Sequence, residues 1–325
     1  MEREKIKLWL PLILVAFLSA SCEKKEIPAT PYDRGSAIEN TLKLGENYSN
    51  QLYFNLKENR IVKQNSKMDW DFALSCEADP VIVLNTSRNM LAGITPHTQL
   101  EQVKDTVGIK LVMDFPSGNK DSLSIGRLNR FDKVFAVWMG YGLDGEDLGL
   151  MKIKFEAKSN GDVYFEYGKI NDLSFKSGVL KPDNQYNHVF YSMINHQKAD
   201  IEPLKTTYDL WFTQYLHFFL EPEITPYLVA GALLNPYQTA ATKVIKNDFT
   251  EVSLSDTIQF PFSLNRDEIG YDWKKFSLSE NTYTLAPNYN YIVKVQTGFY
   301  FRLKFTDFYD ENGFRGAPSF VYIAL

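Results

Sequence analysis

The clearest hydrophobic patterns in this chain have a period of two. Residues 162–167 read Asp, Val, Tyr, Phe, Glu, Tyr before Gly168, the alternation expected of a strand with one buried face. The stretch from Tyr291 to Tyr309 is rich in aromatic and β-branched residues and is broken by Thr297-Gly298, which predicts two strands joined by a tight turn. Tyr227 to Leu234 is an apolar run with Gly231 inside it, better suited to a bent strand than to a helix. Long stretches of helical period flanked by caps are scarce. The pattern predicts an all-β protein of antiparallel sheets with few helices.

One apolar run has another use. Leu8 to Leu18 follows the positive Arg3, Lys5 and Lys7 and is too short to span a bilayer, which takes about 20 residues. Leu18-Ser19-Ala20-Ser21 then leads into Cys22. This order resembles a bacterial lipobox in the relaxed form of Bacteroidota, with leucine one place further from the cysteine than usual. It predicts a signal peptide over residues 1–21 and acylation of Cys22. Residues 22–34 carry Pro28, Pro31 and little apolar content and read as the lipidated cysteine and a linker. Glu23-Lys24-Lys25-Glu26 resembles the charged tether that sends such lipoproteins to the outer face, so the expected location is the outer membrane, on the cell surface. Several acyl chains on one cysteine anchor stably, at about 0.8 kcal/mol per buried methylene.

Comparing the chain with itself reveals a repeat. A shift of 138 positions carries Tyr48 onto Tyr186, Tyr53 onto Tyr191, Lys67 onto Lys205, Trp70 onto Tyr208 and Asp71 onto Asp209, with no gap. Further on, Val137, Gly140 and Tyr141 match Val295, Gly298 and Phe299 at the same spacing. Lys152-Ile153-Lys154-Phe155 matches Arg302-Leu303-Lys304-Phe305. Each is followed by an Asn-Gly turn (160–161 and 312–313) and a closing Phe-x-Tyr, Phe165 and Tyr167 against Phe320 and Tyr322. The shared order predicts two related β units, at 35–178 and 179–325. An aromatic beside an acid at the same point twice, Trp70-Asp71 and Tyr208-Asp209, reads as a core ring with a carboxylate that accepts backbone N–H bonds.

Composition narrows the function classes. The 325 residues include 35 basic and 40 acidic side chains, a net charge of -5, which gives no electrostatic case for nucleic acid. With Cys22 modified, Cys76 has no intrachain partner, and its neighbours Ser75 and Glu77 offer nothing to activate a thiolate. Asp144-Gly145-Glu146-Asp147 lacks the spacing of a calcium loop and reads as a charged hairpin turn. His-Glu-x-x-His, Gly-x-Ser-x-Gly, P-loop and Cys-x-x-Cys signatures are missing, so binding is expected rather than catalysis.

Several phrases resemble the HmuY-like lipoproteins of Bacteroidota: Trp70-Asp71-Phe72-Ala73-Leu74 with Asn85 downstream, Tyr208 to Tyr215, Gly270-Tyr271-Asp272-Trp273-Lys274, and Phe305 to Tyr309 through Phe320-Val321-Tyr322. The resemblance spans nearly the whole mature chain. It implies an all-β surface protein that captures haem and works beside a TonB-dependent outer-membrane receptor in iron acquisition. Haem capture needs an axial donor, histidine nitrogen or methionine sulfur, and a flat apolar slot. His217 lies in Tyr215-Leu216-His217-Phe218-Phe219, among rings that could wall a porphyrin, and Met139 lies in Trp138-Met139-Gly140. These two are the candidate haem ligands. Each has a plain alternative, a strand histidine bonded to backbone and a core-filling methionine. Met90, in a loop after Leu84-Asn85-Thr86, is a weaker donor candidate with the same core-filling alternative, and His97, His188 and His196 read as turn, exposed strand and loop. A non-haem surface module for a glycan, a peptide or a receptor remains the competing reading.

Overall fold

A computed structural model describes residues 35–45, 47–127, 132–219 and 225–325. The expected signal peptide, Cys22 and the linker lie outside the described residues. Among the described residues twenty-one strands follow in chain order. The first half carries β1 (Ile38–Thr41), β2 (Asn50–Asn55), β3 (Arg60–Ser66), β4 (Phe72–Ser75), β5 (Val81–Leu84), β6 (Leu91–Ile94), β7 (Gly126–Arg127), β8 (Val134–Trp138), β9 (Leu150–Ala157), β10 (Val163–Lys169) and β11 (Lys176–Leu180). The second carries β12 (His188–Ser192), β13 (Gln197–Ala199), β14 (Leu210–Phe219), β15 (Thr225–Leu234), β16 (Ala240–Ile245), β17 (Lys274–Ser277), β18 (Thr282–Leu285), β19 (Tyr289–Lys294), β20 (Tyr300–Tyr309) and β21 (Arg315–Ala324). Helix is limited among the described residues to 3-10 turns of three to five residues, and no described helix is long and apolar enough to cross a membrane.

Among the described residues five antiparallel sheets form, and four of them stack in layers, the fifth being the β17-β18 hairpin. The outer layers have orders β1-β21-β20-β19-β16 and β11-β10-β9-β8-β6; the inner ones, β3-β2-β14-β15 and β13-β12-β4-β5-β7. Phe54, Phe212, Phe305 and Phe320 fill the space between the first outer sheet and its inner neighbour. Phe72, Phe155, Phe165 and Tyr191 do the same for the other pair. Tyr53, Trp70, Phe190 and Tyr208 pack between the two inner sheets. An inner strand is therefore covered on both faces, as β4 is at every residue, and shows no alternation. Outer strands such as β10 keep theirs.

The orders of corresponding sheets are the same once the halves are exchanged, except that β7, beside β5, has no counterpart beside β15. β1 and β2 of the first half join β21 and β14 of the second, while β11 and β12 join β10 and β4. The 178/179 division of the sequence repeat falls inside β11, which stays paired with β10. The gapless alignment also needs a correction of one residue. Phe54 lies opposite Leu210 as Tyr191 lies opposite Phe72, so Tyr191 corresponds to Phe54, and Phe190 to Tyr53. A one-residue slip reverses the faces of a strand, and here it sends Tyr53 and Phe190 to the centre.

The repeated acid and asparagine pin these crossings. Asn85 Nδ2 donates to the carbonyls of Lys67 and Trp70, and Asn235 Nδ2 to those of Lys205 and Tyr208. Asp71 accepts from the backbone N–H groups of Met193 and Ile194, and Asp209 from that of Leu56, each across to the hairpin of the other half. The reading of Trp70-Asp71 and Tyr208-Asp209 as core ring plus backbone-capping carboxylate holds, since both rings are buried.

Among the described residues Asp209 has no cationic partner, and burial pushes its carboxyl up to about 6, with the Leu56 N–H pulling the other way. An unfolded aspartate titrates near 3.9. Because the folded value is the higher, this stabilising term is full below about pH 4 and is lost as pH rises through about 6, a swing of about 3 kcal/mol. Asp209→Asn should therefore gain on the wild type by about that amount between pH 4 and pH 7 in urea titrations. A constant difference between the two proteins would contradict it.

Candidate functional site

The halves differ in the length of one hairpin. β4 and β5 have four residues each, whereas β14 and β15 have ten and run paired from Leu210↔Leu234 to Phe219↔Thr225. The excess builds an arm whose end carries His217. Its imidazole is half-buried, 4.7 Å from the Tyr271 ring and 5.3 Å from that of Phe219. Phe219 also lies 5.9 Å from Tyr227, the residue opposite His217 across the hairpin, and these two rings remain 42% and 46% exposed. Residues one position apart on a strand face opposite ways, and Phe218 accordingly stacks elsewhere, on Phe115 at 4.0 Å. Burial lowers the pKa of His217, while the carboxylates of Asp267 and Asp272 act in the opposite direction. A neutral imidazole keeps the lone pair that a metal ligand needs.

Met139 is elsewhere. It is 1% exposed and packs with Met90 and Phe135 in the core between the second outer sheet and its inner neighbour. The structure does not bring it together with His217, and its sulfur could reach a ligand only if that core opened. The remaining histidines divide sharply. His196 occupies a left-handed turn position, φ 57°, where the first half has Asn59 at φ 49°, and its Nδ1 lies 2.8 Å from the Tyr167 hydroxyl. His97 sits in the loop after β6, its backbone carbonyl accepting from Val134 N.

His188 is the histidine whose place the sequence concealed. It lies on β12 rather than on an open strand face, with Nδ1 3.7 Å from the buried carboxylate of Glu202. Burial works to raise the Glu202 pKa, but hydrogen bonds from His188, Tyr208 and Asn187 hold it below the usual range. His188 lines a cavity of about 180 Å³ between the two inner sheets, with Gln51, its counterpart across the repeat. Trp70, Phe190, Trp211 and Leu233 supply apolar wall, and Arg266 closes the rim. Pockets that hold drug-sized molecules measure about 300–1,000 Å³, so this one suits a smaller guest.

Two minor sites match their sequence reading. Asp144 to Asp147 form the turn between β8 and β9, with Gly142 N donating to the Glu146 carbonyl. Cys76 is part-buried; burial pushes its thiol up and the N–H of Asp183 pulls it down, the net shift being upward. A thiol so shifted is a poor nucleophile at neutral pH.

The chain matches the family model described as HmuY protein over residues 47–322, almost the whole described region. The chain belongs to the HmuY family. No curated protein matches it. Among solved structures it is similar to apo PinO from Porphyromonas gingivitis, at 11% identity and a TM-score of 0.31, with 90% of this chain and 98% of that one covered. It is also similar to the apo HmuY analog TFO from Tannerella forsythia, at 10% identity and a TM-score of 0.34, with the same two coverages. HmuY membership accords with the all-β architecture and with the motifs around Asp71, Asp209 and Trp273.

Proposed function

We propose that this HmuY-family protein captures haem as a lipid-anchored protein of the outer-membrane surface and passes it to a TonB-dependent receptor for iron acquisition. The observation that carries the reading is His217, held between Tyr271 and Phe219 at the end of an arm that the other half lacks. The arrangement fits the cargo in three respects. The ring nitrogen is a suitable iron donor, its pKa is lowered by burial, and flat exposed rings stand beside it. Acylation of Cys22 would tether this arm at the membrane surface through the 22–34 linker. Nothing in the arrangement asks for a transformed substrate: the site grips.

Titration of the purified mature protein with haem should give a Soret band that saturates at a fixed stoichiometry. His217→Ala should weaken binding at least about tenfold, the loss of one axial bond, while Met139→Leu should leave it unchanged. A featureless titration under both oxidising and reducing conditions would remove the haem reading. An undiminished band in His217→Ala would move the donor to another residue.

A further inference from the structure

The cavity between the inner sheets has a chemistry that haem capture at the arm does not use. Its wall is mostly apolar, yet two of its polar groups lack partners: the indole Nε1 of Trp211 and Nε of Arg266 are both buried without a hydrogen bond. Tyr215, also on the wall and 1% exposed, has an unpartnered hydroxyl as well. A buried donor left unpaired forfeits its bond to water and gains none in return, so native proteins rarely keep several together without a reason.

Arg266 is held as a binding group is held. Its N–H donates to the Ser117 carbonyl at 3.0 Å and its own carbonyl accepts from Leu234 N at 2.7 Å, tying the rim of one half to the other. Its side chain lies against Gly118, where an added Cβ would come within 2.9 Å of Arg266 Cδ. The guanidinium carbon is 5.5 Å from the Trp211 ring. Among the described residues Arg266 forms no ion pair. The acids of the wall are otherwise engaged. Asp114 accepts from Leu84 N, Ser124 N and Ser124 Oγ, and Glu77 pairs with Lys120.

We propose that this cavity binds a small carboxylate with an apolar body, the carboxylate taking the donors of Arg266 and Trp211 and the body resting on Trp70, Phe190 and Leu233. A charged acceptor suits an unpaired guanidinium better than a neutral one, because charge-assisted hydrogen bonds are roughly twice as strong. The volume limits the guest to a single ring or a short branched chain. The site is separate from the His217 arm and stands or falls independently of it.

The test uses benzoate and isovalerate against the corresponding amides, read by calorimetry and by quenching of tryptophan emission. At least one acid should bind saturably, and its amide about tenfold more weakly or less. Arg266→Gln should weaken that acid by about tenfold or more, and Trp211→Phe by a smaller factor, with melting temperatures close to wild type. His217→Ala should bind the acid as the wild type does, and Arg266→Gln should keep the haem titration of the wild type. Equal affinity for acid and amide, wild-type affinity in Arg266→Gln, or no binding of any acid at millimolar concentration would overturn the proposal. Loss of haem binding in Arg266→Gln would do so too, by making this cavity part of the haem site.

Discussion

Asp71→Ala is expected to cost about 3–5 kcal/mol of folding stability, far more than Asp209→Ala at the equivalent point of the second half. Both carboxylates cap the hairpin of the other half, but only Asp71 also meets a cation. Arg88 pairs with it, and both side chains are 0% exposed. Two guanidinium nitrogens of Arg88, Nε and Nη1, have no partner already. Removing Asp71 would therefore strand a buried positive charge, the more expensive way to break an ion pair. Asp209→Ala loses one bond from Leu56 N and relieves a buried charge, for a cost of about 1 kcal/mol at neutral pH. Arg88→Met in the Asp71→Ala background should recover much of the loss, since an apolar chain of similar length no longer needs a counter-ion. Urea midpoints at constant m-value measure all four proteins. Equal costs for the two aspartates, or strict additivity in the double variant, would show that the ion pair contributes nothing distinctive.

Gly140→Ala should be nearly as damaging and Gly298→Ala mild, although the sequence alignment of the two units sets these glycines together. Only the strand register separates them: it places Met139 opposite Gly149 as Val295 lies opposite Phe299. Both have left-handed backbone, φ 73° and 84°, so alanine at either costs about 1–2 kcal/mol. The difference is space. A Cβ on Gly140 would lie 1.8 Å from the carbonyl oxygen of Arg88, whereas one on Gly298 would meet nothing within 4 Å. That carbonyl accepts from Tyr141 N at 2.9 Å, so the two backbones are locked together. Forcing them apart adds about 1–3 kcal/mol and disturbs the residue that pairs with Asp71. Thermal melts of the two variants separate the contributions: a similar loss at both sites would mean that backbone conformation alone sets the cost.

These contrasts mark where a linear reading stops. The alternation of β10 was visible because an outer sheet has one wet face, and the turns at Asn160-Gly161 and Asn312-Gly313 were visible because glycine fills a left-handed position. The strand from Tyr227 onward was visible for its composition, and β15 includes it. β2 and β4 show no period, because neighbours cover them on both sides. The slip between Tyr53 and Tyr191 was hidden by the aromatic pair Tyr53-Phe54, which allows alignment in either phase. His217 was legible from adjacent rings, and the arm places it among Phe219, Tyr227 and Tyr271, the last some fifty positions away in sequence. Met139 drew attention only by its sulfur, and Phe135 and Met90 account for it as core. The cavity could not be read in advance: Gln51, Trp70, His188, Trp211 and Arg266 come from five distant segments that only the crossing of the halves assembles.

That crossing has a consequence for how the chain can be cut. Strands β4 to β13 complete one pair of sheets as an unbroken stretch, apart from the 128–131 segment outside the described residues, while the other pair is made from what precedes and follows them. The stretch leaves and returns at one place: Asn65 Nδ2 donates to the Ile201 carbonyl at 2.9 Å. In gene terms it is a cassette with adjoining ends. It could be excised, closed on itself or given new termini at that junction without stretching a loop, and the remaining flanks would need only a short splice to meet.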